Sequence, residues 1–253
     1  MNATLRKVGA LAGKDLADLF KNPTMLVVLL MPIGFMLLFR LVIGDTAADA
    51  GLTGAELALA EGQIGTFLLG SGLCMSVGMV ASMTLIYGIA EEKERHTLRT
   101  LMLANVSAGE VAASKGGVAL AAVVAVGAAC FAVAGGEPGL LPAYLALTAL
   151  GAVPVVLVSL VLGLASRDQM TAGFYSVPVL LLALVPTFGM VSEAVEAAAA
   201  LSPLGGVWDL LGLAAGGRLL TADALAPLAV TLAWVVAGAA VFAALYRRLA
   251  RDN

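Results

Sequence analysis

The sequence predicts an all-α polytopic membrane protein with six transmembrane helices, and three observations carry that prediction. Of 253 residues, 61% are hydrophobic and only 12% are charged, against roughly 25% charged in a soluble domain. Mean hydropathy is +1.01. Apolar runs recur along the chain, six of them about 20 residues or longer, which at about 1.5 Å per residue crosses a hydrocarbon layer of roughly 30 Å. A transmembrane barrel would instead show segments of about ten alternating residues.

Residues 3–21 read as an amphipathic interfacial helix. At about 100° per residue, Leu5, Val8, Ala12, Leu16, Leu19 and Phe20 share one face, and Arg6, Lys7, Lys14, Asp18 and Lys21 share the other. Leu11 falls off the stripe. Such a helix fits the cytoplasmic membrane surface, its apolar side in the headgroup boundary and its cations near anionic lipid. Asn22-Pro23 then turns the chain into the first span. About twenty polar-rich residues precede an apolar run too long for a cleaved signal peptide, so the first span is expected to stay in the mature chain.

The predicted spans are 24–43, 64–90, 116–134, 140–165, 174–192 and 227–246. Pro32, Pro154, Pro178 and Pro186 lie within them and are expected to kink helices that would otherwise run straight. In the second span, Gly70, Cys74, Gly78 and Ser82 recur every four residues and offer a face that another helix can approach closely. That face either packs within the chain or lines a pathway or dimer contact. Cys74 and Cys130 also fall in spans, where a cysteine packs as a small apolar residue, and the spacing provides no disulfide framework or metal site.

Basic residues orient the bundle, because Lys and Arg in short loops stay on the cytoplasmic side. With both termini inside, cytoplasmic pieces hold 12 of the 14. The outside pieces hold Arg218, and Arg40 lies near the outer end of the first span. The loop 44–63 is purely acidic, with Asp45, Asp49, Glu56 and Glu61. The formal net charge of −3 hides this asymmetry and points to no nucleic-acid partner. Arg40 is placed to snorkel to the interface, or alternatively to meet an anionic substrate or lipid headgroup. Residues 193–226 form an outside segment of two helical stretches broken by Ser202-Pro203-Leu204-Gly205-Gly206, with Trp208 suited to interfacial depth.

The remaining block, residues 91–115, reads EEKERHTLRTLMLANVSAGEVAASK. Five consecutive charges, Glu91, Glu92, Lys93, Glu94 and Arg95, follow directly on 27 uncharged residues. Taken alone, such a run is a solvated loop between spans. Its pattern, with Glu92, Glu94, Arg95, Thr97, Leu98, Leu101, Ser107, Glu110 and Lys115 in place, resembles the loop between the second and third spans of ABC transporter type-2 permeases. The six-span layout, the amphipathic N-terminal helix and the KDLADLFKNP entry to the first span are similar too, so the resemblance covers nearly the whole chain. The chain departs from the family pattern at His96, where glycine is common, and at Arg99 and Asn105.

The resemblance implies a coupling helix seated on a separate ATP-binding subunit, with Glu91, Glu92, Glu94, Arg95, Thr97, Leu98, Leu101 and Met102 at the contact. Acidic residues leading that helix would suit its N-terminal dipole, and Leu98, Leu101 and Met102 would form an apolar ridge. The resemblance also implies short outer-leaflet helices over 193–226 and pairing with a second permease copy or a similar permease.

A coupled transporter needs an engine, and this chain carries no G-x-x-x-x-G-K-[ST] loop: its Gly13-Lys14 pair is followed by Asp15. Nor does it hold G-x-S-x-G, and its single histidine, His96, sits in the charged block. The chain is therefore expected to be non-catalytic and to bind no cofactor or metal, with ATP and Mg on two copies of the partner subunit. The reading is an exporter permease of the inner (plasma) membrane, moving an amphipathic drug, peptide antibiotic or lipid. An ion-coupled secondary carrier or a non-transporting scaffold is the alternative, though the spans offer almost none of the midplane ionisable groups that carriers use.

Overall fold

Local sequence signals start and stop each helix. The structure, a computed structural model, describes residues 3–44, 46, 50–97 and 106–249. Helix α1 (Ala3–Lys21) ends at Asn22, whose side chain accepts a hydrogen bond from the Thr24 backbone at 3.0 Å and caps α2 (Pro23–Ile43). Pro23 opens α2, where its missing N–H costs nothing. Helix α3 runs Gly54–Glu94 and contains a π-helical stretch at Ser76–Ala81. Helix α4 (Ala108–Ala134) begins with a capping box in which Ser107 and Glu110 satisfy each other's backbone N–H groups. It stops at Gly135, whose φ of 75° is left-handed.

Helix α5 (Leu141–Ala165) follows a short 3-10 turn at Pro138–Leu140. Asp168 then caps α6 (Gln169–Leu184); its bond from the Thr171 N–H, at 2.8 Å, holds the Asp168 carboxyl below the usual carboxylate range. Helix α6 tightens into a 3-10 helix at Val185–Val191. Two short helices, α7 (Glu193–Ala200) and α8 (Gly205–Ala215), meet at 99°. Helix α9 (Leu225–Leu249) completes the described chain.

Six of these helical stretches are long and apolar enough to cross a membrane, and among the described residues there is no strand. They match the six predicted spans in number and order. Burial separates their roles: the apolar window of α3 is 83% buried inside the chain, while that of α9 is 11% buried and that of α6 is 17% buried. A face left uncovered by protein in so apolar a helix suits lipid, so α3 is the axis of the bundle and α2, α6 and α9 form its outside. Helix α5 lies between α3, α4 and α9.

Two boundaries differ from the expectation. Residues 54–63, read from their charge as outside loop, are helical and extend α3, because Ala, Glu, Leu and Gln there are strong helix formers. The loop expected over 91–115 is shorter, since 91–94 close α3 and 108–115 open α4. The prolines also differ from one another. Helix continues through Pro32, Pro154 and Pro178, and only around Pro186 does the α-helix give way to 3-10 geometry.

Candidate partner-docking site and the ion cluster beneath it

The charged block begins as the last turn of α3. Glu91, Glu92 and Glu94 therefore close a helix rather than lead one, which corrects the dipole argument made from the sequence: acids at a C-terminus are unfavourable. Neighbouring groups compensate them. Lys14 of α1 reaches Glu92 Oε1 at 2.5 Å, and Lys115 of α4 reaches the same oxygen at 3.2 Å. Lys115 also contacts Asp15 at 3.1 Å, Ser114 donates to Asp15 at 2.8 Å, and Lys14 lies 3.3 Å from Asp18. Glu91 accepts from Asn22 at 3.0 Å and pairs with Arg95 at 2.8 Å. Lys93 donates to the Leu164 carbonyl at the end of α5 at 2.7 Å.

The side chains of Asp15, Glu92 and Lys115 are only about one-tenth exposed, so this cluster is sheltered from solvent screening. Burial works against the Lys14 ammonium, but its hydrogen bond and attraction to Glu92, aided by Asp15 and Asp18, outweigh that cost and hold its pKa above the ordinary lysine value. One buried network thus ties α1 to the ends of both spans that flank the connector.

The tip beyond this network is open. Glu94, Arg95, His96 and Thr97 are exposed, and Thr97 donates to the Glu92 carbonyl at 3.1 Å. His96 has φ 57°, the left-handed region in which glycine carries no steric penalty. Leu98, Leu101 and Met102 lie outside the described residues. Of the expected contact residues, then, Glu94, Arg95 and Thr97 are on the surface, Glu91 is half-buried and Glu92 faces inward.

The other singled-out residues also have partners within the chain. Arg40 donates through Nη1 to the Val133 carbonyl, and its guanidinium lies against Gly135, so it caps the C-terminal end of α4. Gly70, Cys74, Gly78 and Ser82 are all buried inside the chain and present no free face. A Cβ on Gly70 would lie 2.6 Å from the Trp208 ring of α8, and one on Gly78 would lie 2.8 Å from Ala183 of α6. The stripe thus takes part in packing within the chain, the first of its two expected roles.

Sequence reasoning missed Asp15, Ser114 and Asn22 as members of the network. Asp15 meets Ser114 and Lys115 of α4, and Val8, Leu11 and Leu19, at helical spacing from it on α1, are partly or fully buried. The signal was an acid flanked by apolar residues at helical spacing, of which Leu11 lies off the expected stripe. The expected stripe divides: Leu19 is buried, whereas Leu5, Leu16 and Phe20 are exposed. No protein-family model matches the chain, and no curated protein is similar to it.

Proposed function

We propose that this chain is the membrane-spanning permease subunit of an ATP-driven exporter and that the tip around Glu94, Arg95 and Thr97 docks a separate ATP-binding subunit. The observation that carries this reading is the exposed charged tip standing directly on a buried network that joins α1, α3 and α4. A push on the tip meets a braced junction, so movement passes into three helices at once. The sequence pattern across 91–115 supports the same partner. In this reading both termini are cytoplasmic, the membrane is the plasma membrane, and two permeases, identical or similar, pair with two ATP-binding subunits.

The exposed Leu5, Leu16 and Phe20 support an interfacial position for α1. The 99° bend between α7 and α8 supports short helices dipping into the outer leaflet over the exit. An amphipathic substrate handled within the bilayer suits this layout.

Co-expression with its chromosomal neighbours and affinity purification tests the proposal. An ATP-binding subunit is expected to co-elute, and export in vesicles is expected to require hydrolysable nucleotide. Recovery without any ATP-binding subunit, together with nucleotide-insensitive transport, rejects it. Reversing the exposed charge that makes no ion pair among the described residues, Glu94→Lys, is expected to weaken docking and export while leaving the melting temperature unchanged.

A further inference from the structure

Beside the ion cluster lies a cavity of about 720 Å³. Leu19 of α1, Met25 of α2, Leu85 of α3 and Val118 of α4 contribute apolar lining, and Asp18, Lys21 and Glu92 contribute charge. Asp18, Leu19 and Lys21 close α1, Met25 is in the first turn of α2, Val118 is in the third turn of α4, and Leu85 and Glu92 lie in the last three turns of α3, so the cavity sits where apolar spans give way to charged connectors. In a bilayer this is the headgroup level.

Glu92 lines this cavity with its side chain nine-tenths buried, and its Oε2 has no hydrogen-bond partner. Both lysines of the cluster go to Oε1. Around Glu92 the ion-paired groups are Lys14 and Lys115 against Asp15, Asp18 and Glu92, one acid more than cations, while Lys21, Glu91 and Arg95 bring the charged lining of the whole cavity to balance, as suits a zwitterion. A buried acceptor without a donor is destabilising, and beside the local acid excess a cation that carries an N–H suits Glu92 Oε2. A quaternary ammonium has the charge but no hydrogen to donate.

On the same cavity, Lys21 is exposed and has no ion-pair partner among the described residues, which suits an anion. We propose that the cavity binds a phospholipid with a primary-amine headgroup, its ammonium on Glu92 Oε2, its phosphate on Lys21 and its acyl chain against Met25 and Leu85. The inference rests on the membrane reading and not on the ATP-binding partner, so either can fail alone.

Gly88 provides a way to close the site without touching the cluster. It lines the cavity, and a Cβ there would meet only the Met25 methyl, at 3.9 Å. The full chain, reconstituted in vesicles of phosphatidylethanolamine and phosphatidylcholine with matched acyl chains, is extracted and its retained lipid is read by native mass spectrometry. About tenfold preference for phosphatidylethanolamine is expected, the size of one charge-assisted hydrogen bond. Gly88→Leu and Glu92→Gln are each expected to erase the preference, and Lys21→Ala, at an exposed site, to weaken it with unchanged melting temperature. Equal retention of both lipids, a preference that survives Gly88→Leu and Lys21→Ala, or displacement by soluble phosphoethanolamine at lipid-like concentration overturns the proposal.

Discussion

Lys14 Nζ lies 2.5 Å from Glu92 Oε1, a contact across 78 residues of chain that fastens the N-terminal helix to the last turn of α3. Lys115 grips the same oxygen from α4 at 3.2 Å. The charged block therefore divides by direction: Glu92 braces the interior, and Glu94 and Arg95 occupy the surface.

That division predicts opposite responses to the same charge reversal. Glu92→Lys places a third cation beside two lysines in a sheltered site and is expected to cost about 3 kcal/mol or more. Glu94→Lys, on an exposed residue, is expected to stay within about 0.5 kcal/mol. Thermal melting of the two variants in one detergent checks the contrast; equal melting temperatures would sink the internal role of Glu92.

The raised pKa of Lys14 sets a pH window. A lysine whose folded pKa lies above its unfolded value contributes stability that is fully present below about pH 10.4, the ordinary lysine value, and is lost as pH rises through the folded value. Stability measured against Lys14→Met is therefore expected to show a constant difference from neutral pH to about pH 9. The gap should narrow only in strong alkali. A difference that vanishes near neutrality contradicts the assignment.

Arg40 ties α2 to the end of α4, at the opposite end of the spans from the ion cluster. Arg40→Leu removes a charge-assisted bond to a helix C-terminus and is expected to cost about 1–2 kcal/mol. Arg40→Lys keeps the charge and should recover part of this. If Arg40→Leu melts like the parent but blocks export, the residue serves substrate instead.

Gly70 and Gly206 are sites of close approach. A methyl on Gly70 would enter the Trp208 ring, and one on Gly206 would strike the Pro227 carbonyl and the Thr231 hydroxyl. Each Gly→Ala change is expected to destabilise by about 1–3 kcal/mol through overpacking. Gly70→Ala should also shift Trp208 fluorescence, whereas Gly206→Ala should loosen α8 from α9; unaltered emission and melting would refute the contact.

Much of this architecture was legible because lipid solvation is written residue by residue. Long uncharged runs, Asn22-Pro23 and the Ser202–Gly206 break each act over a few neighbours, so spans and turns could be read locally. Helix ends were harder. The charged residues Glu56 and Glu61 looked like loop because charge reports solvent exposure, whereas their helical propensity and that of their neighbours decided the backbone.

The all-helical class, the six apolar helices and their order follow from hydrophobicity and local capping along the chain. Which charges turn inward is set by how the helices pack. Lys14, Asp15, Glu92 and Lys115 come from three helices, and a pairing over tens of residues leaves no periodic trace for a sequence reading to find. The same holds for Gly70 under Trp208 and Arg40 on Val133, where the contact is made by packing geometry rather than by spacing along the chain.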